Sequence, residues 1–116
     1  MKVEDPDYTV TYAREEGRIE FAGALRMPHA EHYKPIGNIL QEAAAAGVSP
    51  LVLDFRKLRM LNSRGFGLVA KFVLGLAGSK SQLKLQVLGS RKYHWQTRSL
   101  TTLKRLWSEV EISIEG

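Results

Sequence analysis

The chain has 116 residues, and its 17 Lys and Arg against 12 Asp and Glu give a formal net charge of +5 at pH 7. This length suits one domain with a real core, so we expect a single domain over residues 1–116. An apolar fraction of 44% with 25% charged residues is typical of a folded globular chain and excludes a disordered one. The absence of cysteine excludes a disulfide framework, a thiol nucleophile and a Cys-ligated zinc site.

The chain shows no targeting or membrane-spanning signal. Its start is polar and acidic, which predicts that there is no signal peptide. The longest mostly apolar run, residues 66–77, is interrupted by Lys71 and is too short to span a bilayer. We therefore predict a soluble, cytoplasmic protein with no transmembrane segment.

Charge is distributed unevenly along the sequence. Residues 1–20 carry six acids against three bases, whereas residues 55–108 contain twelve Lys or Arg and no Asp or Glu. A segment of one sign favours an acidic partner, such as a protein surface, a phosphate, nucleic acid or a membrane headgroup. The alternative is a solvated face of a generally basic domain.

The N-terminal third predicts a β-hairpin followed by a helix. Residues 8–12 and 18–22 alternate at strand period around a turn at 14–17. The next apolar residues recur at helical spacing up to Gly47, which is a natural residue to end a helix. This helix begins near residues 28–31, or at Pro35 after an irregular turn.

The middle of the chain predicts a buried strand and an apolar helix. Residues 51–55 form a continuous apolar run, which suits a central strand covered on both faces. A basic connection, residues 56–61, leads to a helix from Ser63 to about residue 77, which a loop at 78–81 closes. Because this helix is apolar nearly all round, we expect it to pack between the sheet and the last helix.

The C-terminal part predicts two more strands around a third helix. Residues 82–88 alternate cleanly as a strand, which Gly89-Ser90 ends. A helix over residues 95–107 follows, and residues 110–114 form a short edge strand between acidic residues. The order of elements predicts an α/β fold. We expect a mixed β-sheet of four to five strands, with an N-terminal hairpin and about three helices packed mainly on one face.

The stretch from Leu61 to Leu68 joins the central strand to the apolar helix. It places Ser63 at a helix start, where free backbone N–H groups and the helix dipole favour an anion. Arg64 adds a cation, so a phosphate on Ser63 would be well placed. The alternative is that Asn62 or Ser63 simply caps the helix.

This stretch and the strand before it resemble the signature of STAS domains, and more narrowly that of bacterial anti-sigma factor antagonists. There the segment commonly reads Asp-Ser-Ser/Thr-Gly, then an apolar residue, Gly and Leu, and the first Ser is phosphorylated. Ser63 falls on that serine, and the structural signature continues at Gly65, Gly67 and Asp54, the last ending the preceding strand. Asn62 stands where the family usually has Asp, and Arg64 stands where it usually has a second Ser or Thr.

The resemblance implies a non-enzymatic regulatory module that binds a serine-kinase anti-sigma factor or a similar switch partner. Phosphorylation of Ser63 would release the partner, and a serine phosphatase would restore binding. The implied binding surface surrounds Ser63, and we add the neighbouring bases as candidate contacts. The predicted partner-binding residues are Asn62, Ser63, Arg64, Gly65, Arg56, Lys57 and Arg59. We expect no cofactor.

Other functional patterns are incomplete. His29, Glu31 and His32 lack a further ligand for a metal. Ser63 lacks the glycine two residues earlier that a nucleophile elbow uses, and no spacing pairs it with a base. The bases and aromatics of residues 91–95 are typical of nucleic-acid surfaces, but a helix start anchored by Trp95 explains them as well. We therefore expect neither a metal site nor an enzyme, and we rank a nucleic-acid partner below a protein partner.

Two alternatives to the phosphorylation switch stay open. The residues at positions 62 and 64 favour a constitutive scaffold that no kinase modifies. The basic half of the chain favours a binder of nucleotide, nucleic acid or anionic membrane.

Overall fold

The computed structural model describes residues 1–79 and 82–116. The strands of the described residues are β1 (Lys2–Glu4), β2 (Tyr8–Ala13), β3 (Arg18–Leu25), β4 (Leu51–Leu61), β5 (Leu85–Ser90) and β6 (Glu111–Glu115). The α-helices are α1 (Lys34–Ala45), α2 (Ser63–Gly78) and α3 (His94–Leu106), and two 3₁₀ turns lie at Arg14–Glu16 and Ala30–Tyr33. The predicted α/β class, the hairpin and the three helices are confirmed. Lys80 and Ser81 of the predicted loop 78–81 lie outside the described residues.

The strands of the described chain form one mixed sheet in the order β1-β2-β3-β4-β5-β6. Strands β1, β2 and β3 are antiparallel neighbours, and β3 to β6 run parallel. The sheet has six strands, so the expected four to five was wrong. The missed strand, β1, is only three residues long and pairs through Val3 with Val10. Its alternation is too short to stand out in the sequence.

All three helices lie on one face of the sheet. The parallel strands follow one another in chain order, and right-handed crossovers then place every connecting helix on the same side. Alternate strand residues are fully buried on that side and form the core with the apolar stripes of the helices. The opposite face carries Thr11, Glu20, Gln86 and Ser113, and it has no helical cover within the described chain. The prediction of about three helices packed mainly on one face agrees with this arrangement, whereas the predicted place of α2 between the sheet and the last helix stays a prediction.

Strand β4 is longer than predicted. The basic segment 56–61, expected to be a connection, continues the strand, and β3 pairs with β4 as far as Leu25 with Leu61. The pairing skips a residue of β4 at two places, and such bulges bend a strand and disturb its alternation. The pairing of β5 with β4 ends at Asp54. Strand β5 occupies 85–90 instead of 82–88, so Gly89 and Ser90 belong to it.

Two features are absent from the described residues. Within the described chain, no helix has the length and apolar character that a membrane crossing requires. In the same residues, no three His, Asp or Glu side chains come together in a group that could hold a metal ion.

Candidate protein-binding site

Asn62 is the only residue between β4 and α2, and its side chain holds the junction together. Its Oδ1 accepts a hydrogen bond from the backbone N–H of Gly65 at 2.9 Å and another from the hydroxyl of Tyr33 at 2.6 Å. Its Nδ2 donates to the carbonyl of Met27 at 2.9 Å. Asn62 is therefore the N-cap of α2, and it also fixes the β3–α1 connection against that helix.

The Met27 contact gives a physical reason for asparagine at this position. An aspartate could accept the bonds from Gly65 and Tyr33, but it has no N–H to donate to the Met27 carbonyl. The departure from the family pattern at position 62 thus matches the local hydrogen bonding of this chain.

Ser63 is the first residue of α2 and is exposed. Because Asn62 provides the cap, the Ser63 hydroxyl is not needed for it, and it has no hydrogen-bond partner among the residues that the structure describes. The backbone N–H groups of Ser63 and Arg64 likewise have no partner among those residues, since the cap serves Gly65 and Phe66. Two unused donors at a helix N-terminus form a local environment that favours negative charge.

The two signature glycines have different roles. A Cβ at Gly65 would lie 2.5 Å from Leu61 Cδ1 and 3.1 Å from the Tyr33 ring and hydroxyl, so a side chain there would displace Leu61 and press on Tyr33. Gly65 thereby lets Tyr33 reach the Asn62 cap. A Cβ at Gly67 would have no neighbour within 4 Å, so the internal packing of the described chain does not require glycine there.

The predicted basic contacts fall into two groups. Arg59 and Arg64 are exposed and form no ion pair with any described residue. Arg56 is bound to Asp54 by two side-chain hydrogen bonds, at 2.9 and 2.8 Å, and its Nη1 also lies 3.2 Å from Glu115. The Nζ of Lys57 lies 3.5 Å from Glu20. Arg64 is therefore available for a partner beside Ser63, whereas Arg56 lies on the uncovered face of the sheet and is paired with Asp54.

Asp54 is the centre of that cluster of charges. It is only 2% exposed, because the side chains of Arg18 and Arg56 cover its carboxylate, and each is ion-paired to it. Burial by itself raises the pKa of the Asp54 carboxyl, but hydrogen bonds from Arg56 and Arg18 outweigh burial and lower that pKa from 3.8 to about 2. The same bonds raise the pKa of Arg56. Asp54 thus acts as an anchor for the two arginines.

Gln96 is a buried polar residue that the sequence analysis did not single out. Its Nε2 donates to the carbonyls of Phe55 at 2.6 Å and Leu58 at 2.7 Å, and its Oε1 accepts from the N–H of Ser90 at 2.8 Å. These carbonyls belong to the part of β4 that lies beyond its pairing with β5. Gln96 therefore satisfies backbone groups that the diverging strand leaves unpaired. Its position on the buried side of α3 was the available signal.

The fold has known structural counterparts. It matches SiaC in the crystal structure of the diguanylate cyclase SiaD in complex with its activator SiaC from Pseudomonas aeruginosa, with a TM-score of 0.72 and 15% identity. That match covers 99% of this chain and 98% of the other. A structure of SiaC of Pseudomonas aeruginosa matches with a TM-score of 0.70 and 15% identity, over 98% and 97% of the two chains. No family model and no curated protein matches the sequence. At this identity, the likeness shows that the fold is shared.

Proposed function

We propose that this chain is a non-enzymatic regulatory module that binds a partner protein through the surface around Ser63, and that phosphorylation of Ser63 controls this binding. The observation that carries the proposal is the division of roles at the start of α2. Asn62 caps the helix, so Ser63 stays exposed beside two backbone N–H groups that no described residue occupies. A serine that the fold does not use, in a place that favours an anion, suits reversible modification.

The shared fold supports a binding role. SiaC, whose fold this chain shares, is an activator that forms a complex with a diguanylate cyclase. The signature around Ser63 independently resembles that of anti-sigma factor antagonists, which bind serine-kinase anti-sigma factors. Membership of the STAS family stays a prediction. The partner is a regulatory protein in either case, and these two classes are our candidates.

The proposed switch is electrostatic and local. A phosphate adds a charge of roughly −2 and several strong acceptor oxygens at the N-terminus of α2. The free N–H groups of Ser63 and Arg64, together with the Arg64 guanidinium, can hold it within the chain. The added charge then repels an acidic partner that the same bases would otherwise attract. A serine phosphatase reverses the change.

The partner contact that we propose is centred on Arg59, Ser63 and Arg64, with Asn62 and Gly65 keeping the helix start in place. Arg56 and Lys57 lie further back along β4, with about 20 Å of extended chain between Arg56 and Asn62. Their ion pairs on the uncovered sheet face suit a structural role. Charge reversal at Arg59 and Arg64 is therefore the appropriate test of the partner surface.

The experiment combines intact mass with binding. Protein purified from its native host, before and after phosphatase treatment, is expected to differ by one phosphate that maps to Ser63. The co-purified partner should bind the Ser63→Ala variant as it binds the wild type. It should no longer bind the Ser63→Asp variant or the Arg59→Glu/Arg64→Glu double variant. Arg98→Glu is the matched control, since Arg98 is an exposed base on α3. Full binding by Ser63→Asp and by the double variant would overturn the proposal.

A constitutive scaffold is the second candidate. It is favoured by Arg64, which stands where the resembling family usually has a second hydroxyl residue. In this case Ser63 carries no phosphate in the host, and yet the Arg59→Glu/Arg64→Glu variant still loses the partner. Salt-dependent retention on DNA, RNA or anionic lipid, with no protein partner, would instead point to the remaining alternative of an anion binder.

A further inference from the structure

A groove of about 820 Å³ opens to solvent between α1 and α2. Two helical stripes face each other across it, each with residues at i, i+3, i+4 and i+7. From α1 these are Lys34, Gly37, Asn38 and Gln41, and from α2 they are Leu68, Lys71, Phe72 and Gly75. The stripes run for about 11 Å along the helices, at 1.5 Å per residue.

Two glycines, Gly37 and Gly75, line the groove without filling it with side chains. A Cβ at Gly37 would lie 3.4 Å from Leu68 Cδ1, which is where the two helices approach. A Cβ at Gly75 would have nothing within 4 Å, so the described packing does not require this glycine, although alanine is the better helix former. Leu74 beside it is 51% exposed. An exposed leucine beside a glycine that the internal packing does not require is expected where another surface lies against the backbone of α2.

The rims of the groove carry positive charge. Lys34 on α1 and Lys71 on α2 are exposed, and neither forms an ion pair with a residue in the described ranges. Glu31 is the one acid among the lining residues. Because the chain has no Asp or Glu between residues 55 and 108, the α2 side has no acid of its own to neutralise Lys71. The complementary partner is therefore acidic at its edges and apolar at its centre.

The groove is continuous with the Ser63 site. Tyr33 lines the groove, and its hydroxyl donates to the Oδ1 of Asn62, the cap of the helix that Ser63 begins. A ligand in the groove thus lies next to the position where we propose phosphorylation.

We propose that this groove binds an acidic amphipathic helix of the partner. Its apolar stripe would pack over Leu74 and Gly75, and its carboxylates would pair with Lys34 and Lys71. A helix is favoured over a strand because two helices line the groove and no sheet edge offers backbone hydrogen bonds there. This inference rests on the proposed function, and it names the chemistry of the partner segment.

The test uses the full chain and three synthetic peptides of about 18 residues, roughly five helical turns. One has leucine at i, i+3, i+4 and i+7 and glutamate on its flanks, the second is a scramble of the same composition, and the third has lysine for glutamate. Fluorescence anisotropy should show the first binding at least about tenfold more tightly than the other two. Glycine resonances of Gly37 and Gly75 should shift in ¹H–¹⁵N spectra when it binds.

Variants locate the binding. Gly75→Trp fills the groove at an exposed helix position and should abolish binding. Lys34→Glu/Lys71→Glu should weaken it by roughly tenfold, as expected for the loss of two exposed ion pairs. Arg98→Glu reverses one charge on another helix and should leave binding unchanged. A melting curve for each variant confirms that it is folded.

The inference is overturned if the acidic peptide binds no more tightly than its scramble, or if folded Gly75→Trp binds it as the wild type does. If either result is obtained while Ser63→Asp still abolishes binding of the native partner, the groove inference alone has failed. A different outcome is that the peptide binds the groove while the native partner binds the Ser63→Asp and Arg59→Glu/Arg64→Glu variants as it binds the wild type. In that case the proposed function has failed and the groove inference stands.

Discussion

Replacing Asn62 by alanine should destabilise the protein by about 2–4 kcal/mol. The variant loses the α2 cap, which is typically worth about 1 kcal/mol. It also leaves the hydroxyl of Tyr33, a residue only 3% exposed, without its acceptor, and an unsatisfied buried polar group costs about 1–3 kcal/mol. Asn62→Asp keeps both accepted bonds, but it loses the donation to Met27, worth about 1 kcal/mol, and sets a carboxylate oxygen against the Met27 carbonyl oxygen. A negative charge at the helix start returns about 0.3–1 kcal/mol, so Asn62→Asp should be less destabilised than Asn62→Ala.

Urea unfolding followed by circular dichroism measures these free energies, since a chain of 116 residues built on one sheet is expected to unfold in one step. Tyr33→Phe provides the second side of a double-mutant cycle. Adding it to Asn62→Ala should cost less than the sum of the two single changes, because the hydroxyl that lost its acceptor is then absent. A loss below about 1 kcal/mol for Asn62→Ala, or an Asn62→Asp variant as unstable as Asn62→Ala, would refute the assigned role of this side chain.

Three further predictions concern the surrounding structure. Gln96→Leu should cost about 3 kcal/mol by urea unfolding, because two carbonyls and one N–H lose their buried partner, and a loss under about 1 kcal/mol would contradict this. The pKa of Asp54 is lowered to about 2, so its contribution of roughly 2 kcal/mol is present above pH 3.8 and is lost as the pH falls toward 2. Asp54→Asn should flatten that acid limb of the stability curve, and an unchanged limb would assign it to other carboxylates. Gly67→Ala should raise the free energy of unfolding by about 0.5–1 kcal/mol while Gly65→Ala lowers it, and equal effects at both positions would be inconsistent with the packing described.

Local sequence was sufficient to predict most elements of this fold. The hairpin, the helices and the strand at 51–55 follow from periodicity and from turn residues, which act over a few positions. The helix start at Ser63 is also local, since a strand, a polar residue and an apolar helical stripe are consecutive in the chain. The sequence analysis left open whether Asn62 or Ser63 is the cap, because both residue types suit that role.

Tertiary structure decided the features that depend on distant partners. Segment 56–61 is a strand because β3 pairs with it, although its bulges remove the alternation that would reveal a strand. The role of Arg56 was set by Asp54, two positions earlier on the same strand, and by Glu115, which the strand order brings near. Gln96 holds β4 through residues 38 and 41 positions away in the chain. Apart from segment 56–61 and β1, the sequence by itself determined which chain segments are helical or extended, because this depends mainly on residues nearby in the chain. Only the tertiary structure decided which polar side chains are hydrogen-bonded within the fold and which are left exposed for a partner.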